Sequence, residues 1–167
     1  QTTTVVRDTV TFTKSRKVLS KFFESTSDII LFVRYIKTQS GRLDSDNWAV
    51  MKTMINRMNN ENITWRQYYT HAKYNHSHSI AKMKANPSMV GFDFCDTKDR
   101  KLFFRAINAS LGNYPEEIKR TIPQNVLYFE SFDSTWNMNG PRMGIFNRDS
   151  INIEYRHEFY RGQLKDT

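Results

Sequence analysis

Cysteine is nearly missing from this chain. Cys95 stands alone among 167 residues, which excludes an intrachain disulfide and a cysteine-built zinc site. Its thiol reads as a small buried apolar group. Glycine (6) and proline (4) are scarce, which excludes collagen-like and low-complexity classes. The longest apolar run, IILFV at 29–33, is far too short to span a bilayer. No signal-peptide pattern stands at the start of the sequence. Acidic residues lag behind basic ones, 17 against 25, for a net charge of +8 and an isoelectric point near 9.6. A cationic surface favours polyanionic partners. Nucleic acid, anionic lipid and bacterial wall polymers all qualify.

Aromatic residues are plentiful, with Phe 12, Tyr 8 and Trp 3. They can build a core or line a groove for a flat substrate. The length suits one domain with a real core. The stretch from Asp28 to Met58 organises it. Ile29, Phe32, Val33 and Ile36 recur at helical spacing. Ser27 or Asp28 caps that helix, and Gly41 offers a left-handed stop. A second helix is capped by Ser45 or Asp46 and carries the stripe Val50, Met51, Met54, Ile55 and Met58. The turn TQSGR between the two is where a cleft is expected.

The remaining segments read in order. TVTFT alternates like an edge strand or an extended arm. Ser15 to Glu24 reads as a short basic helix with Val18, Leu19, Phe22 and Phe23 inward. NNEN at 59–62 reads as a polar loop, and Thr64 caps a helix through TWRQYYTHA. His71, His76 and His78 match no standard zinc spacing, so no metal site is expected. Ser79 to Lys84 forms a helical turn ended by Asn86 and Pro87. GFDFCD reads as a short strand or extended segment. Thr97 or Asp99 starts a helix that Gly112 stops, and Pro115 stands at the first position of another. NVLYFES is a strand, FDSTWNMNGPRMG a long loop, and INIEYRHEFYR a final strand or strand pair. Helices first and a small terminal sheet or hairpin make an α+β domain.

The ordered set of motifs resembles the cell-wall hydrolase family that includes the spore-cortex-lytic enzymes. In that family the hairpin reads roughly Ala-Glu-Ala-Arg-Gly-Glu, then Ala-Val-Ala-x-Val-Leu-Asn-Arg-Val. Gly41, Ala49, Val50, Asn56 and Arg57 fall in register with it. The family's Phe-Ser segment is similar to Phe92 to Cys95. Its Ala-Leu-x-Gly and Ala-Leu-Tyr-Phe are similar to Ser110-Leu111-Gly112 and Val126 to Phe129. Its closing Gly-x-His-x-Phe-Tyr is similar to His157, Phe159 and Tyr160. The likeness runs from about Ile30 to Arg161.

The resemblance implies a lysozyme-like fold over 28–167, behind an N-terminal arm and short helix at 1–27. It implies cleavage of peptidoglycan glycan strands by muramidase or lytic-transglycosylase chemistry, with no cofactor. That chemistry needs a carboxylic acid at the scissile glycosidic oxygen. The family's acid ends the first helix. Here Thr38, or Gln39 after a one-residue slip, stands in that place, and neither donates a proton as a carboxylic acid does. Glu130, after Leu127-Tyr128-Phe129, is the next candidate acid. Asp93, Phe92, Phe94, Asn56, Arg57, Tyr128 and His157 are candidate substrate contacts.

Three readings stay open. One is a wall-degrading domain of an endolysin, virion protein or cellular hydrolase. The second is an inactive glycan-binding or structural virion protein of the same fold. The third is a basic nucleic-acid-binding protein, supported by KYNHSH, RKLFFR and YRHEFYR but by no nucleic-acid motif. The partners expected are glycan strands and virion or wall-associated proteins, with no membrane. The expected location is extracellular, wall-associated or virion-associated.

Overall fold

The structure, a computed structural model, describes residues 20–74, 78–131 and 155–165. The described elements are helices α1 (Thr26–Gln39), α2 (Ser45–Glu61), α3 (Trp65–Thr70), α4 (His78–Ala85), α5 (Thr97–Ser110) and α6 (Glu116–Thr121), then strands β1 (Val126–Ser131) and β2 (His157–Arg161). A 3-10 turn, Ala72–Tyr74, follows α3. Helices with a small antiparallel hairpin make the α+β class expected from the sequence. TVTFT, His76, the loop FDSTWNMNGPRMG and residues 151–154 of the final segment lie outside the described residues. So does most of the basic stretch 15–24. Its described part, from Ser20 onward, is turn rather than helix, although Phe22 and Phe23 are buried as expected. No described helix is long and apolar enough to cross a membrane.

Three helices begin in the same way, and the caps of α1 and α2 stand earlier than the sequence suggests. Ser25, not Ser27 or Asp28, caps α1 by accepting from the Asp28 N–H. Asp44, not Ser45 or Asp46, caps α2 by accepting from the N–H groups of Asp46 and Asn47. α5 starts at Thr97, as the sequence suggests, and Asp96 caps it by accepting from the Asp99 N–H. The inner acid of each first turn is buried and takes a cation or imidazole from elsewhere in the fold. Asp28 engages Arg66 at 2.9 Å. Asp46 engages His157 at 2.9 Å. Asp99 engages Lys37 at 2.8 Å. A carboxylate in the first turn also meets the positive end of the helix dipole. Each device therefore starts a helix and fastens a second element to it.

The helix ends also depart from expectation. α2 runs through Glu61 and closes on Asn62, whose φ of 58° and ψ of 48° are left-handed. The polar run 59–62 is thus the last turn and cap of α2, not a loop. Pro115 is the N-cap of α6 rather than its first residue. The segment 91–96 is not a strand, and from residue 94 it turns. Asp93 Oδ1 accepts from the Cys95 N–H at 2.9 Å, and the Asp93 N–H donates to Asp99 at 3.0 Å. These bonds curl the chain into α5. Cys95 is exposed there, not buried, because the turn points away from the core that Phe92 and Phe94 touch. Thr64 caps α3 as expected, in a capping box with Gln67.

Gly41 does not take the left-handed conformation. α1 ends because Ser40 becomes extended, with φ of −153°, while its N–H still donates to Ile36 at 2.8 Å. Gly112 does turn left-handed, at φ of 84°. A Cβ at Gly41 would meet Lys37 O at 3.9 Å and Lys98 Nζ at 4.0 Å, ordinary contacts. Gly41→Ala is expected to raise stability by about 0.5 kcal/mol, whereas Gly112→Ala lowers it by about 1 kcal/mol. Urea denaturation of the two variants measures both signs.

α2 is the axis of the fold. α1 and α5 pack against it and against each other, and the β1–β2 hairpin packs along it. β1 runs back along α2, with Phe129 paired to Phe159 and Ser131 to His157. Polar contacts pin the hairpin at three levels. His157 meets Asp46 near the start of α2. Asn56 Nδ2 donates to the carbonyls of Pro123 and Val126, at 3.0 and 3.1 Å. Asn60 accepts from the Lys165 N–H at 2.8 Å and donates to Gln163 O at 3.3 Å. The apolar core between these layers includes Ile29, Phe32, Met51, Met54, Leu102, Phe103, Val126 and Phe159. α1 begins at Thr26, and Phe22 and Phe23 join the same core, so the residues just before position 28 are packed into the body.

Candidate functional site

The candidate residues fall into three groups. The first is the end of α1. Thr38 Oγ1 donates to Tyr35 O at 2.6 Å. Gln39 Nε2 donates to Ser79 Oγ at 2.7 Å and to Thr38 Oγ1 at 3.2 Å. Both residues are half-buried. The Gln39 carboxamide therefore fastens α1 to α4. Next to it Lys37 donates to Gly91 O at 2.8 Å and pairs with Asp99, while Arg34 donates to the carbonyls of Val90 and Pro87. The side chains of α1 that point this way hold the 87–99 segment in place.

The second group is that segment. Phe92 and Phe94 are half-buried and lean on Phe103, with ring centroids 6.0 and 4.9 Å away. They contact each other at 5.7 Å. Asp93 is exposed and spends one oxygen on its own turn.

The third group lines α2 and the hairpin. The Arg57 guanidinium lies over three tyrosine rings, 4.8 Å from Tyr128, 5.2 Å from Tyr74 and 5.9 Å from Tyr68. Tyr68 and Tyr74 stack at 4.2 Å. Burial foremost raises the Tyr68 hydroxyl above the usual tyrosine range, with Arg57 opposing; burial and then Glu61 raise Tyr74. Both phenols are neutral at pH 7, so the rings offer π faces and hydroxyls to the cation. Asn56 is buried and committed to the chain before β1. Glu130 accepts from the Tyr160 hydroxyl at 3.2 Å. His157 is 2% exposed, bonded to Asp46 and edge-on to Phe129 at 5.3 Å. A ring so enclosed fixes the hairpin.

The structure thus joins Arg57 to Tyr128, and Phe92 to Phe94. The contacts of Thr38 and Gln39 go instead to Tyr35 and Ser79. Asp46, Tyr68 and Tyr74 complete these groups; the sequence reading took Asp46 only as a cap, Tyr68 only as part of the helix TWRQYYTHA and Tyr74 only as part of the basic-aromatic stretch KYNHSH. One signal was present for Asp46. It shares helical spacing with Val50, Met54 and Met58, and an acid on a buried stripe needs a partner. Among the described residues no cluster of three metal-ligating side chains occurs. His71 serves its own turn, accepting from the Lys73 N–H at 3.1 Å.

A recess of about 110 Å³ sits near the far end of α2 from TQSGR, lined by residues such as Lys21, Met58, Asn59 and Thr64. Pockets that enclose a small ligand span roughly 300–1,000 Å³, so this recess is too small for a sugar ring and its neighbours. No family model, curated protein or solved structure matches the chain.

Proposed function

We propose that this chain binds the glycan strand of peptidoglycan without cleaving it, as a lysozyme-like relative of the cell-wall hydrolases. The observation that carries the reading is the end of α1. The position where the resemblance calls for an acid holds the Thr38 hydroxyl or, after a one-residue slip, the Gln39 amide, which Ser79 and Thr38 hold in place. An amide cannot protonate a leaving glycosidic oxygen. Two further features support binding. Arg57 and Tyr128, both matched to the family pattern or adjacent to it, meet in one half-buried cluster. A net charge of +8 favours a polyanionic wall. On this reading the protein works outside the cytoplasm, at the wall or in a virion, beside partner proteins of either.

A cleaving enzyme that relies on Glu130 is the second reading, supported by the place of that side chain on β1 after Leu127-Tyr128-Phe129, where the Tyr160 hydroxyl orients it. Co-sedimentation with purified peptidoglycan, followed by mass spectrometry of the soluble fraction, separates the two. Pelleting without new reducing ends or anhydro products is the expected result. Products from the unaltered chain would overturn the binding reading in favour of Glu130, and failure to pellet would remove both.

A further inference from the structure

Among the described residues, some half-buried cations are neutralised or held by several oxygens. Lys37 has Asp99, and Arg34 has two carbonyls. A different arrangement occurs on the face of α2 turned away from Arg57. Lys52 is half-buried and lies 4.9 Å over the Tyr114 ring. Among the described residues no carboxylate lies within ion-pair distance of it. α6 packs against α2 here and brings up another cation, Lys119, whose own partner is the exposed Glu116, three residues before it at 3.3 Å. Beside them Arg105 lies 5.0 Å over Trp48 and donates to two neutral oxygens, Asp44 O and Asn47 Oδ1. Trp48 and Tyr114 join the two halves edge to face, 6.0 Å apart.

Partial burial of an ammonium without a counter-ion is costly, and a second ammonium adds to the cost. Both effects act on Lys52, burial first and Lys119 second, and hold it below the ordinary lysine value. An oxyanion placed between the amines relieves both. Two lysines act as point charges suited to the several oxygens of a phosphoryl group. Each aromatic ring already carries a cation, and the two rings meet at 70°. That leaves a poor platform for stacked bases, on which single-stranded nucleic acid binding relies.

We propose that Lys52 and Lys119, beside Tyr114 and Arg105, form a binding site for the phosphoryl groups of a phosphodiester polymer that lacks bases. The site is independent of the glycan reading, since it shares no residue with the end of α1 or with the Arg57 cluster. Its test titrates the full chain with inorganic phosphate, poly(glycerol phosphate) and oligothymidylate, following the Tyr114 ring signals by NMR. Phosphate is expected to shift those signals. Lys52→Met and Lys119→Met are each expected to weaken poly(glycerol phosphate) binding by about fivefold, as loss of one charge-assisted contact does. Lys101→Met, an exposed charge on α5, is the control and leaves binding unchanged. Lys119 is exposed, so its variant keeps the test valid should Lys52→Met misfold. Equal affinities in all three variants, or Tyr114 signals indifferent to phosphate, would overturn the proposal. Oligothymidylate bound more tightly through the same lysines would also overturn it and assign the site to nucleic acid.

Discussion

Asp46→Ala is expected to lower the unfolding free energy by about 3 kcal/mol, the scale for breaking a buried polar pair by removing one partner. Both Asp46 and His157 are 2% exposed. The carboxylate accepts from the Arg156 N–H at 2.9 Å and contacts His157 Nδ1 at 2.9 Å. Alanine leaves the imidazole and one backbone N–H buried without an acceptor. Asp46→Asn keeps an acceptor oxygen and is expected to cost about 1 kcal/mol, the size of an ordinary hydrogen bond. His157→Phe placed on top of Asp46→Ala is expected to recover part of the loss, because an apolar ring has no unmet bond. Urea denaturation gives the three values. Hydrogen exchange locates the effect, with the β2 amides losing protection before those of α1. A loss under about 0.5 kcal/mol for Asp46→Ala would mean that the pair carries no more than a surface contact.

Trp65→Ala is expected to cost about 4 kcal/mol, near the top of the range for aromatic truncation in a core. Trp65 is fully buried. Its ring meets Phe32 at 5.1 Å, Tyr35 at 5.6 Å, Tyr69 at 5.7 Å and Tyr68 at 5.8 Å. It thereby joins α1 to α3. Its backbone N–H also donates to Phe22 O at 3.0 Å, which fastens the segment before α1. The indole Nε1 is buried with no acceptor among the described residues. Trp65→Phe therefore surrenders no hydrogen bond and is expected to cost only about 1 kcal/mol. A loss for Trp65→Phe as large as that for Trp65→Ala would show that the indole N–H has an acceptor after all.

The sequence made the helices of the first two thirds legible because their stripes are long and regular. Ile29, Phe32, Val33 and Ile36 are all buried, as are Val50, Met51, Met54, Ile55 and Met58. The caps of α1 and α2 were misplaced for one reason. Each has two or more residues able to cap, as in Ser25-Thr26-Ser27-Asp28. The choice is made by the inner acid, which is drawn to a partner far along the chain. Asp28 and Arg66 are 38 residues apart, and Asp46 and His157 are 111 apart. No local pattern reveals such a partner. The same reason hid the tyrosine cluster. Tyr68 and Tyr74 lie on α3 and the turn after it, Tyr128 on β1, and Arg57 lies over all three. The α+β class survived these errors because it depends on element type rather than on element ends.

On the proposed function, the end of α1 is a catalytic position that has lost its acid. The most direct measurement compares glycan products from purified peptidoglycan treated with the unaltered chain, Gln39→Glu and Thr38→Glu. Reducing ends and anhydro products are read by mass spectrometry. The account predicts no products from the unaltered chain and cleavage by Gln39→Glu at least about a hundredfold above that background, the low end of what a positioned general acid contributes. Cleavage by the unaltered chain, or silence from both Glu variants, would contradict it.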